Sequence, residues 1–272
     1  MSEPLAVACS VVDVWAHPRE GPDEERVTQA LLGCPVEVEA RRGGWALVRL
    51  PDYRGWVRGA ALAPSPSPRT QVFVVARPRV QLEGDAAGTP RHAYLGTVLP
   101  AASADGVHVA VLLPGGGVAT IARAAGWLAP CERPFPPRPP QESVRWAHSL
   151  VGAPYLWGGV TTDGIDCSAL VQLAFRLCGV RLPRDADQQW AALPTSVPRG
   201  EIAAGDLLFF AREGGVVHVA LALDATHFIH ALGDPPRGVC IESLDPRAAD
   251  YNARLDALYV GARRIRAGVR TG

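Results

Sequence analysis

The sequence predicts an α+β chain in three parts: two small β-barrels, then a larger unit with helices packed on an antiparallel sheet. Three patterns carry this reading. Residues 4–130 hold short alternating apolar runs cut by Gly and Pro turns. Residues 141–193 place apolar side chains at helical spacing, and residues 205–265 return to alternation. Two Pro-rich stretches, 64–68 and 131–140, punctuate the chain and read as stiff spacers rather than polyproline ligands.

The chain has 272 residues, enough for two or three domains. Its 27 basic residues, all arginine, balance 27 acidic ones, so no electrostatic argument favours nucleic acid or an anionic membrane as partner. No run approaches the roughly 18 apolar residues of a membrane span. LAVACS (5–10) superficially resembles a lipoprotein cleavage site but lacks a basic region and an apolar stretch before Cys9. The six cysteines show no CxxC pair, and the expectation is a reduced, cytoplasmic protein without a disulfide framework.

Residues 4–63 form the first β module. VVDVW, PVEVEA, WALVRL and YRGWV alternate and are joined by Gly turns, and Trp45 and Trp56 read as core aromatics. The phrase GGWALVRLPDYRGWV resembles bacterial SH3-like domains. Residues 70–130 look like a diverged second copy, with VFVV matched to VVDV and GWLAP to GWVRGAALAP, at a period of roughly sixty residues. This copy is assigned a scaffolding role.

Residues 141–266 form the third unit. ESVRWAHSLVG (142–152) is an amphipathic helix. In the next helix Leu170, Leu173, Ala174 and Leu177 repeat at i, i+3, i+4, i+7; Asp166 stands at the N-cap and Gly179 at the stop. A short helix follows Pro183, and strands follow over 205–210, 216–223 and 226–231, with two more over 239–243 and 259–265.

This arrangement puts Cys167 in the first turn of a helix, where the unpaired N–H groups favour thiolate over thiol. A buried core cysteine is the plain alternative. In VVHVALAL, His218 shares a face with Ala220 and Ala222, which leaves room for the Cys167 helix to approach; His230 lies on the next strand. Cys167 as nucleophile, His218 as base and His230 as orienting partner satisfy the logic of acyl transfer, with N–H groups of the helix start as oxyanion donors. The same three residues could instead bind zinc, but they lack a fourth ligand and a local ligand pair. The reading therefore assigns no metal and no cofactor.

PYLWGGVTTDGIDCSALVQ, RDADQQ, GDLLFF, HVALAL and FIHA, in this order, resemble the NlpC family of papain-like cysteine peptidases over nearly all of residues 141–266. The resemblance implies Cys167, His218 and His230 as the catalytic set and Tyr155 at the oxyanion site. Ala169 and Ala220 stand where that family prefers Gly, and Ala186 where it prefers Ser. With two SH3-like modules in front, the chain further resembles γ-D-glutamyl-L-diamino acid endopeptidases (dipeptidyl-peptidase VI type). That implies a murein peptide, L-Ala-γ-D-Glu-diamino acid, as partner. It also implies Tyr53 and Asp185 as contacts to its free amine and Asp166 and Ser168 as further substrate contacts. Val27 departs from an acidic position of that amine site. Two other readings stay open: an extracellular wall-remodelling endopeptidase with wall-binding modules, and a non-enzymatic wall- or peptide-binding protein.

Overall fold

The structure is a computed structural model that describes residues 3–19, 21, 23–84, 92–234 and 238–265. Residue 266, the end of the expected third unit, lies outside these. The chain forms two compact units, residues 1–135 and 136–272.

In the first unit, a seven-stranded sheet is built from Leu5–Val7, Val11–Trp15, Arg26–Leu31, Pro35–Arg42, Trp45–Arg49, Arg54–Arg58 and Leu62–Pro64. Alternation sends Val7, Val14, Ala46, Val48 and Val57 into one core. Trp45 is buried, with the Arg58 guanidinium 4.0 Å over its ring, while Trp56 is half-buried. Gly55 of YRGWV is obligatory by contact, since a Cβ there would lie 2.6 Å from Val14 Cγ1 and 2.9 Å from Trp15 O. Tyr53 packs half-buried against this core, and its carbonyl accepts from Leu50 N–H at 2.8 Å. Val27 is also half-buried against the core.

Residues 71–130 repeat this topology with a shift from the expected alignment. Gln71–Val75 pairs with Val98–Ala104 and Gly126–Pro130, as Leu5–Val7 pairs with Pro35–Arg42 and Leu62–Pro64. VFVV is thus the counterpart of the first strand, not of VVDV. Local alternation is the same in both candidates; only the partners distinguish them. The 64–68 spacer does not hold the modules apart either. Leu32 enters the second module's core, Ser10 Oγ donates to His92 O at 2.7 Å, and Gly115 N–H donates to Pro64 O at 2.9 Å.

The second unit is α+β. Beside a two-stranded ribbon of Val160–Thr161 and Gly164–Ile165, its main sheet has the strands β1 (Ser196–Val197), β2 (Leu207–Arg212), β3 (Gly215–Ala222), β4 (His227–Leu232), β5 (Gly238–Ser243) and β6 (Tyr259–Arg263). They form one antiparallel sheet in the order β1-β6-β2-β3-β4-β5. The helices are α1 (Ser143–His148), α2 (Cys167–Arg176), α3 (Ala186–Ala192) and α4 (Ala253–Leu258). α1 ends four residues sooner than expected because the chain after His148 goes into turns, with Leu150 N–H on Ala147 O and Ala153 N–H on Leu150 O, and α4 was not foreseen. Ala220 and Ala222 do not make room for α2. They pack with Leu208, Phe210, Phe228 and Leu255 in a cluster that contains no α2 residue, because two small side chains admit two Phe rings. No helix among the described residues is long and apolar enough to cross a membrane.

Candidate active site

α2 begins as the sequence dictates. Asp166 adopts extended angles (φ −97°, ψ 175°), and its Oδ1 accepts from Ala169 N–H at 2.8 Å. Its Oδ2 accepts from Gly158 N–H at 2.9 Å. That second bond depends on a tight Gly-rich turn: a Cβ on Gly159 would lie 2.4 Å from Gly164 O. Arg184, buried, closes the network with two bonds to Asp166 at 3.0 and 2.6 Å and one to Ser168 Oγ at 2.9 Å. Ser168 Oγ in turn donates to Asp166 Oδ1 at 3.2 Å. Asp166 and Ser168, expected as substrate contacts, thus have their side-chain polar atoms taken up within the protein. Gln189 adds a tie from α3, with Nε2 donating to Ser168 O at 3.0 Å and Pro183 O at 2.9 Å.

Cys167 is buried at the first position of α2, with the backbone N–H groups of Val219 and Ser168 facing its sulfur. The Val219 contact places the sulfur against the β3 backbone, one residue along from His218. The expected thiolate is not the resting form. Burial, then the Asp166 carboxylate, push the thiol up to about 12, outweighing Val219 N–H, Arg184 and Ser168 N–H. Burial and then His230 push His218 well below the usual imidazole range. Both shifts favour a neutral thiol beside a neutral imidazole. Alkylation of Cys167 is therefore expected to accelerate through neutral into alkaline pH. A rate already maximal at mildly acidic pH would contradict the neutral pair.

His218 Nε2 lies 2.9 Å from His230 Nδ1, and His230, fully buried on β4, places its Nε2 3.0 Å from Glu242 Oε2 on β5. Glu242 was not foreseen as a site residue. Burial raises its carboxyl, but hydrogen bonds from His230 and Asn252 and the neighbouring positive charge lower it overall, so it is ionised at neutral pH. Asn252 Nδ2 donates to it at 2.5 Å.

With His230 neutral, hydrogen-bond direction assigns the tautomers: a carboxylate only accepts, so His230 Nε2 carries the proton and His230 Nδ1 accepts from His218 Nε2–H. His218 Nδ1 is left with a free lone pair, the acceptor that a thiol proton needs. Glu242→Gln keeps an acceptor but loses the charge that stabilises a His218 imidazolium. It is expected to lower kcat about 10- to 100-fold with KM little changed, and to move the acid limb of activity to lower pH. A change confined to KM would remove Glu242 from this role.

Tyr155 sits half-buried with its ring against Gly233, where an added Cβ would lie 3.2 Å from Cε1. Burial, then Cys167 and Asp166, raise its phenol, so it stays a hydrogen-bond donor at neutral pH. Asp185 is half-buried at the N-cap of α3, and its Oδ2 accepts from Gln188 Nε2 at 2.9 Å. Tyr53 belongs to the first unit, in the position described above.

A thiol that can hand its proton to an oriented imidazole, with N–H groups of a helix start around it, performs acyl transfer through a thioester. The fold and the site together define a cysteine hydrolase. Residues 152–251 match the NlpC/P60 family, and residues 18–62 match the bacterial dipeptidyl-peptidase SH3 domain. The γ-D-glutamyl-L-lysine dipeptidyl-peptidase of Bacillus cereus (strain ATCC 10987 / NRS 248) is 27% identical over 94% of this chain and 83% of its own length. The protein of the same name from Bacillus subtilis (strain 168) is 29% identical over 85% and 79%. A crystal structure of an NlpC/P60 family protein from Bacillus cereus ATCC 10987 shares the fold, with TM-score 0.82 at 24% identity over 96% of this chain and 99% of that one. The chain thus carries an NlpC/P60 domain over residues 152–251 and a bacterial dipeptidyl-peptidase SH3 domain over residues 18–62.

Proposed function

We propose that this peptidase cleaves the γ-D-Glu–diamino acid bond of murein peptides that begin with a free L-Ala, and that it does so in the cytoplasm during recycling of wall fragments. The observation that carries the reading is the similarity to both γ-D-glutamyl-L-lysine dipeptidyl-peptidases, which runs through both units of the chain rather than through the peptidase unit alone.

In the mechanism, Cys167 Sγ attacks the γ-carbonyl as its proton passes to His218 Nδ1. The developing oxyanion is met by the Tyr155 hydroxyl and by N–H groups at the start of α2. The His218 imidazolium, stabilised through His230 by Glu242, donates to the leaving amine. The base form then activates water, which releases the dipeptide from the thioester. Asp185 supplies a carboxylate for the substrate ammonium, since a desolvated ammonium requires acceptors. Asp166 and Ser168 hold Arg184 at the start of α2.

The test compares L-Ala-γ-D-Glu-L-Lys with its N-acetylated form. Acetylation is expected to lower kcat/KM about 10- to 100-fold, the loss of a charge-assisted contact, and Asp185→Asn to raise KM for the free-amine form only. Equal rates on both peptides would exclude amine recognition. Fractionation that recovers the protein outside the membrane would exclude the cytoplasmic assignment.

A further inference from the structure

The outer end of the histidine relay carries a third potential ligand. His230 and Cys240 are paired directly across β4 and β5, and Glu242 follows Cys240 by two residues, so Cys240 and Glu242 share a face of the strand. Cys240 Sγ lies 3.4 Å and Glu242 Oε2 3.0 Å from His230 Nε2. The three donor atoms all lie within 4.8 Å of one another. A tetrahedral ion bound to an imidazole nitrogen at about 2.0 Å and a thiolate at about 2.3 Å separates those ligands by roughly 3.5 Å. The trio therefore needs little movement to close on an ion. His230 is wholly buried, but Cys240 and Glu242 are only partly so, which leaves the donor set an open side and a place for a water as fourth ligand.

We propose that His230, Cys240 and Glu242 form an inhibitory site for a thiophilic divalent cation of the zinc class. The regulatory half of this proposal rests on the peptidase reading above; the binding half does not. On binding, Cys240 releases its proton to solvent and becomes a thiolate ligand. The ion takes the lone pair of His230 Nε2, so the proton of that ring moves to Nδ1. Nδ1–H now donates to His218 Nε2, and the His218 proton moves to Nδ1. That nitrogen must be bare to receive the proton of Cys167. The ion thus blocks the base by reversing both tautomers, without touching the nucleophile.

The experiment uses the full chain with Cys167→Ala, so that the nucleophile cannot bind metal, and titrates it with Co²⁺ at neutral pH. A saturable thiolate-to-cobalt charge-transfer band at one ion per chain is expected, and it should disappear when Cys240→Ala is added. In the otherwise wild-type enzyme, Zn²⁺ should inhibit reversibly, with activity restored by a chelator. Cys240→Ala should leave metal-free activity unchanged and raise the inhibitory Zn²⁺ concentration by about tenfold or more. No band, or a band that survives Cys240→Ala, overturns the site. Zn²⁺ inhibition unaffected by Cys240→Ala overturns the regulation and places the ion at Cys167. A Cys240-dependent band in a chain that never cleaves the tripeptide supports the site and counts against the peptidase substrate alone.

Discussion

Cys167→Ala will abolish cleavage of L-Ala-γ-D-Glu-L-Lys, with kcat falling on the order of 10⁴- to 10⁶-fold. The loss is large because the chain has no second route to the same chemistry. In the proposed mechanism His218 Nδ1 receives the thiol proton, and without the sulfur there is no nucleophile for it to activate. Since the resting sulfur is a buried thiol and not a thiolate, removing it also takes away no charge. The variant should therefore unfold at nearly the same denaturant concentration as the parent, and the effect should be almost wholly kinetic. Single-turnover assays with product separation measure it. Retention of more than about one hundredth of the parent rate would be incompatible with covalent catalysis at this residue.

Arg184→Met will be the most destabilising single substitution in the peptidase unit, at about 3–5 kcal/mol. Arg184 is only 2% exposed, and it binds both carboxylate oxygens of Asp166 as well as Ser168 Oγ. Methionine fills much of the same volume, so the cost is mainly electrostatic: a buried Asp166 carboxylate left with two backbone donors and the Ser168 hydroxyl but no countercharge. The same carboxylate caps α2, so the helix start that carries Cys167 should shift and activity should fall with stability. Combining Arg184→Met with Asp166→Asn removes the stranded charge, and the double variant should lose less than the sum of the two single ones. Urea unfolding with comparison of midpoints and slopes reads all three. A loss below about 1 kcal/mol for Arg184→Met would mean that the pair is no better than a surface ion pair.

Much of this site is legible in the chain because its signals are local. A cap at Asp166, apolar residues at i, i+3, i+4, i+7 and a stop at Gly179 (φ +77°) determine α2 over Cys167–Arg176. Alternation determines the strands that carry His218 and His230. Glu242 was missed because nothing near it in sequence marks it; its partner is set by the register of β4 against β5, which pairs Phe228 with Glu242 and His230 with Cys240. Arg184 reads as one more surface arginine until its burial against Asp166 is known.

By itself, then, the sequence determined which residues start the helix and which lie on the strands, since each follows from spacing within one element; a thiol and two imidazoles as the reactive groups are what the resemblance of their motifs implies. The tertiary structure alone brought out the burial of that thiol, the contact between the two imidazoles and the carboxylate behind them. Desolvation and hydrogen-bond direction are sums over groups from several elements, and no local pattern contains them. For the same reason the helix-end field, which taken alone favours a thiolate, is outweighed at Cys167 by burial and the adjacent Asp166.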